Sequence, residues 1–140
     1  MQAHALHLSR RGRIKALLDA AGNADILINN AGAIFAGDLQ AIDEARWREA
    51  WDVKVLGHIN LCRAFNAAMQ KKGAGVIINV TGLAADRLDT NHIAGLAGND
   101  SLNAFSRVLG SNSFKDGIRV LAISPGAFHP SRAGLLYRRR

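Results

Sequence analysis

Ile26, Leu27 and Ile28 form an apolar run too short for a helix, closed at once by Asn29-Asn30-Ala31-Gly32. A run of that length without alternation predicts a strand buried on both faces, as in a parallel sheet. The residues that close it predict a turn. Asparagine tolerates left-handed backbone and bonds its own main chain, and glycine admits a close neighbour because it has no Cβ. Polar groups then stand at the carboxyl end of a strand, which is where open α/β sheets bind ligands.

The flanking segments repeat this theme. Ala3 to Leu8 reads as a short strand, and Ser9 as the cap of a helix whose stripe is Ile14, Leu17, Leu18 and Ala21. Gly22-Asn23 ends that helix, and Asp25 to Asn29 is the next strand. Asp43 is placed to cap a long helix carrying Trp47, Trp51, Val55, Ile59, Cys62, Phe65 and Met69, interrupted near Gly57 and ending before Gly73. Gly75 to Thr81 is a second apolar strand, and Gly82 to Thr90 a polar loop. Ile93 to Leu109 reads as a helix with Leu102, Phe105 and Leu109 inward, although Gly95 and Gly98 each cost it about 1 kcal/mol relative to alanine. Small residues there suit the close approach of another backbone or a ligand. Ser111 to Gly117 reads as a loop, and Ile118 to Ile123 as a strand stopped by Ser124-Pro125-Gly126. Strands alternate with helices, so the expected fold is α/β: a parallel sheet with helices on both sides, in one domain over 1–140.

Composition narrows the function classes. The chain has 140 residues and a net charge of +7, with basic clusters at Arg10-Arg11-Gly12-Arg13 and Arg138-Arg139-Arg140. No aromatics interleave the terminal arginines, so they read as solvated helix and tail residues rather than a nucleic-acid platform. No apolar run approaches the length of a membrane span. Cys62 is the only cysteine, which excludes an internal disulfide and points to a reducing cytoplasm. His4, His7, His58, His92 and His129 have no paired metal-ligand spacing, so no metal is expected.

Four landmarks in order, Asn29-Asn30-Ala31-Gly32, Val76-Ile77-Ile78-Asn79-Val80, Gly117-Ile118-Arg119-Val120 and Ser124-Pro125-Gly126, make the chain resemble the short-chain dehydrogenase/reductase family from about His4 to Arg132. The resemblance implies a Rossmann-like, doubly wound parallel sheet, NAD or NADP as cofactor, and hydride transfer between it and an alcohol or ketone. It places Asn29, Asn30, Ala31 and Gly32 in the turn beside the cofactor's adenosine half, and Pro125 and Gly126 by the nicotinamide. It also implies a homo-oligomer built on the helices near 47–69 and 93–109.

Two departures from the family pattern bear on activity. No Gly-x-x-x-Gly-x-Gly turn, which in the family holds the pyrophosphate, occurs before Asp25. The chain reads as starting at the family's third strand. The fold is then incomplete: the first two strands are missing, Asp25–Asn29 lies at an edge, and cofactor binding is weakened. The second departure is in the Asn, Ser, Tyr and Lys tetrad. The family's Tyr position falls on Gly95, Lys on Asn99, Ser on Gly82 and Asn on Lys54, so no position keeps its residue type. Glycine has no side chain with which to move a proton, and the ordinary mechanism is impaired or lost.

Three residues are candidate substitutes. His92 precedes Gly95 by about one helical turn, and imidazole suits acid/base work near neutral pH. Thr81 offers a hydroxyl beside Gly82, and Asn99 a hydrogen bond to a ribose. The competing readings are an exposed histidine at a helix start and a β-branched residue at a strand end. The alternative function is a non-catalytic Rossmann-like protein acting through association alone.

Overall fold

In a computed structural model of the chain the described residues are 11–32, 35–82 and 88–125. The elements run α1 (Arg11–Ala21), β1 (Ile26–Asn29), α2 (Glu44–Trp51), a π-helical turn (Asp52–Leu56), α3 (Gly57–Lys72), β2 (Gly75–Val80), α4 (Ile93–Ser113), a 3-10 turn (Phe114–Asp116) and β3 (Ile118–Ile123). The strands form a parallel sheet in the order β1-β2-β3, with Ile28 beside Ile78 and Ile78 beside Leu121. This is a Rossmann-like α/β fold. The strand expected over Ala3–Leu8 lies outside the described residues.

Local chemistry sets the boundaries. Asp43 caps α2, its carboxylate accepting from the Arg46 N–H at 2.8 Å. Gly73 ends α3 with a φ of 73°, a left-handed cap in which glycine has no Cβ to clash. The expected interruption of the long helix falls on Asp52–Leu56, directly before Gly57. α4 runs on through the segment expected to be a loop, reaching Ser113. Its serines do not break it: the Ser111 hydroxyl donates to Val108 O, and the Ser113 hydroxyl to Ile118 O.

The core lies on one side of the sheet. Leu27, Ile77 and Ile118 point into a cluster with Ile14 of α1 and with Leu61, Cys62, Phe65 and Met69 of α3, and Phe105 and Leu109 of α4 pack against it. The described helices thus cover one face, where the sequence pattern implied two. On the other face Ile26 and Ile28 are 55% and 62% exposed. The strand expected to be buried on both faces is therefore buried on one. Its apolar run reports the requirement of a two-sided sheet, and the described residues fill one side of it. Among the described residues no helix is long and apolar enough to cross a membrane.

Candidate functional site at the carboxyl edge of the sheet

All three strands point their carboxyl ends the same way, so the residues that follow them gather along one edge. After β1 come Asn30, Ala31 and Gly32, all exposed. After β2 come Thr81 and Gly82, and after β3 come Ser124 and Pro125. Gly126 lies outside the described residues.

Beneath this edge is a buried amide relay. Asn29, 2% exposed, donates through Nδ2 to Asn79 Oδ1 at 2.8 Å and to Cys62 Sγ at 3.3 Å. Asn79, fully buried, donates in turn to Ser106 Oγ at 2.9 Å, and Ser106 donates to Leu102 O at 2.7 Å. The chain of bonds ties β1 to β2 and β2 to α4. Asn29 therefore supports the turn from below, while Asn30, Ala31 and Gly32 are its accessible part. Burial pushes the Cys62 thiol up to about 11, against the lowering effect of its bonds with Asn79 and Asn29, so it stays protonated and packs as a small apolar group.

Lys54 and His58 join this edge from the helix that crosses beneath it. Lys54 lies in the π-helical turn and is 6% exposed. Its ammonium donates to Val80 O at 2.9 Å and to Thr81 O at 3.3 Å. Burial lowers its pKa from the ordinary lysine value. Its stem lies against Gly32, where an added Cβ would meet Lys54 Cδ at 2.6 Å. His58, fully buried one turn later, donates from Nε2 to Ala31 O at 2.9 Å. Burial takes its pKa down to about 4, with the Ala31 bond opposing and the Lys54 charge adding to the fall. The imidazole is therefore neutral at pH 7, and its Nδ1 has no hydrogen-bond partner.

From the opposite side comes α4. Trp51 donates to Ala94 O at 3.1 Å, and a Cβ on Gly98 would meet Val55 Cγ2 at 3.3 Å. Gly98 is thus the close approach of two helices that its small size suggested. Asn99, 9% exposed, turns its amide to the exit of β2, with Nδ2 at 2.9 Å from where a Cβ on Gly82 would sit. Gly82 also has a positive φ of 146°, so a serine there would be strained and crowded. Asn99 Oδ1 is buried with no hydrogen-bond partner among the described residues. Thr81, 7% exposed, donates its hydroxyl to Ile123 O at 3.2 Å and shares a 2.9 Å hydrogen bond with the Ser124 hydroxyl.

The structure therefore brings Thr81 and Asn99 to one strand exit. It places His92 at the start of α4, its half-exposed imidazole 3.2 Å from Asp89 and its main chain bridged to Gly37. Reading the sequence set Lys54 at the family's Asn position and Ser124 in the Ser-Pro-Gly landmark without giving either a role, and it missed His58 as part of this edge. The signal for Lys54 was available: a lysine on the inward side of an apolar helical stripe calls for a buried partner. Among the described residues no group of three His, Cys, Asp or Glu side chains could hold a metal ion.

Comparison with known proteins places this geometry. A family model described as short chain dehydrogenase matches residues 3–136. Galactitol 2-dehydrogenase (L-tagatose-forming) of Cereibacter sphaeroides is 31% identical over 110 residues, which are 77% of this chain and 43% of that enzyme. A solved short-chain dehydrogenase from Streptomyces avermitilis superposes with a TM-score of 0.85 at 26% identity, over 91% of this chain and 49% of that one. An NAD+-bound xylitol dehydrogenase shares the fold with a TM-score of 0.84 at 21% identity, over 91% of this chain and 51% of that one. The chain thus spans about half the length of the relatives it matches.

Proposed function

The chain belongs to the short-chain dehydrogenase/reductase family, and from that footing we propose that it binds NAD or NADP at the carboxyl edge of its sheet, for hydride transfer with a small-molecule alcohol or ketone that is impaired in this chain. The observation that carries the reading is the gathering of the Ala31-Gly32 turn, the Thr81–Ser124 hydroxyl pair and Asn99 at adjacent strand ends. The edge fits such a group in one testable respect: the buried Asn99 Oδ1 lacks a donor among the described residues, and a ribose hydroxyl is one. The relationship to galactitol 2-dehydrogenase supports a hydroxylated substrate.

In this reading Asn30, Ala31 and Gly32, on the turn held by His58 and backed by the Lys54 stem, border the nucleotide, and Pro125 borders it from the exit of β3. Asn99 orients the ribose. A bound nicotinamide would supply the hydride acceptor or donor. Thr81 and Ser124 hold a hydroxyl proton at Thr81 Oγ1, beside the substrate oxygen. Gly95 can move no proton, and His92 is the nearest imidazole along α4 for acid/base work. Two copies associate through the outward sides of α2, α3 and α4, a proposal supported by the exposed Leu56 and Val108. A single thiol fits a reducing cytoplasm.

The test is a titration of the 140-residue chain with NADH and NADPH, read by nucleotide fluorescence, followed by turnover of galactitol with NAD+ or NADP+ as the hydride acceptor. Without a glycine-rich phosphate turn, half-saturation is expected at about 1 mM, corresponding to about −4 kcal/mol. Turnover is expected to fall about 10²–10⁴-fold below the ordinary ~10 s⁻¹, the usual contribution of a positioned acid/base. No response to either nucleotide at 10-fold above that concentration (about 10 mM) would remove nucleotide binding. Turnover at the ordinary rate would remove the impairment.

A further inference from the structure

The positions where the family has Asn and Lys hold Lys54 and Asn99, so the two residue types are present but exchanged. Exchange alone could be accidental. The structure adds that the two side chains reach consecutive residues at one strand exit. Lys54 donates to Val80 O and Thr81 O, and Asn99 lies against Gly82. Removing an ammonium from water is costly, and two carbonyl oxygens occupy only two of its three donors among the described residues. Asn99 Oδ1, in a side chain more than nine-tenths buried, accepts from no donor among the described residues. An unpaired buried acceptor and an ammonium with a donor to spare, both at one strand exit, leave that exit incompletely bonded among the described residues. A hydroxyl group completes it, since a hydroxyl both donates and accepts.

We propose that Lys54 and Asn99 form one transposed pair, the π-helical turn supplying the ammonium and α4 the amide, and that together they bind a ribose-type diol at the exit of β2. The proposal rests on the nucleotide reading above for the identity of the diol. It differs from the family arrangement in the direction of the cation, which enters from beneath the Ala31-Gly32 turn. The π-helical turn is the device that aims it: one extra residue in a helical turn re-registers the side chains that follow. The exchange is then reciprocal, because a lysine from each side would place two ammonium groups at one strand exit and an asparagine from each side would leave none.

The test uses the ¹⁵N-labelled 140-residue chain, titrated separately with nicotinamide mononucleotide and with ribitol, and read at the Thr81 and Gly82 backbone amides. Lys54→Met keeps the stem against Gly32 and removes the charge. It and Asn99→Ala are each expected to weaken binding about 10-fold, a typical loss for a hydrogen bond to a charged or buried partner. The double variant Lys54→Asn/Asn99→Lys is expected to return to within about 3-fold of the unaltered chain, while each of its single halves stays weak. Lys54→Arg keeps the charge, and its folding, checked by circular dichroism, covers the case in which Lys54→Met does not fold; it is expected to bind within about 3-fold of the unaltered chain. Unchanged affinity for the mononucleotide in Lys54→Met and Asn99→Ala would overturn the pair and leave the nucleotide reading standing. Shifts with ribitol but none with the mononucleotide would leave the pair standing and remove the nucleotide. No shift with either probe would overturn the pair.

Discussion

Asn79→Ala is expected to lower the unfolding free energy by about 3–5 kcal/mol, from a cavity plus unpaired buried polar groups. Asn79 is fully buried and makes three contacts at once: it accepts from Asn29, lies 3.5 Å from the Cys62 thiol, and donates to Ser106. Truncation leaves Asn29 Nδ2 with a sulfur as its only acceptor. It also severs the link from β2 to α4 and thus the platform under the strand exit. Urea unfolding measures the effect, with the exposed Asn23→Ala as a control expected to stay within about 0.5 kcal/mol of the parent. A loss below about 1 kcal/mol for Asn79→Ala would mean that the relay is dispensable.

Acid weakens the fold through His58. In the unfolded chain a histidine takes up its proton near pH 6.5, whereas burial, more than the nearby Lys54 charge, holds the folded His58 near 4 despite the Ala31 bond. Between those values the unfolded state carries the extra proton, so stability falls as pH falls. The contribution is fully present above about pH 6.5 and is lost on descent toward pH 4, by about 3 kcal/mol in all. His58→Gln retains a donor for Ala31 O and has nothing to titrate. The unfolding free energy of the parent, less that of His58→Gln, is expected to decline across this window. A flat difference from pH 7 to 4 would show that His58 does not stay neutral in the fold.

Much of the scaffold was legible because its signals are local. The apolar runs at Ile26, Val76 and Ile118 became adjacent parallel strands, and Asp43 and Gly73 bounded the long helix as their side-chain and backbone chemistry required. Gly98 marked a close helix crossing. The one-sided burial of β1 was not legible, since Ile26 and Ile28 suit a covered face whether or not these residues cover it. The site was half legible. Asn99 and Thr81 stood out by residue type, but their convergence depends on three segments meeting at one strand exit. Lys54 was set at the family's Asn position but given no role, because a lysine ordinarily reads as surface, and its burial follows from the two carbonyls that receive it. Ser106 and Asn79, 27 residues apart, gave no sign of bonding until α4 folded back over β2.

The most direct measurement is a map of amide shifts in the ¹⁵N-labelled chain on addition of NADH. Binding at the carboxyl edge moves the signals of Asn30 to Gly32, Thr81, Gly82, Asn99 and Ser124, and leaves those of α1 in place. Shifts centred on α1 or on the open face around Ile26 and Leu121, with the strand exits unmoved, would contradict a nucleotide site at this edge.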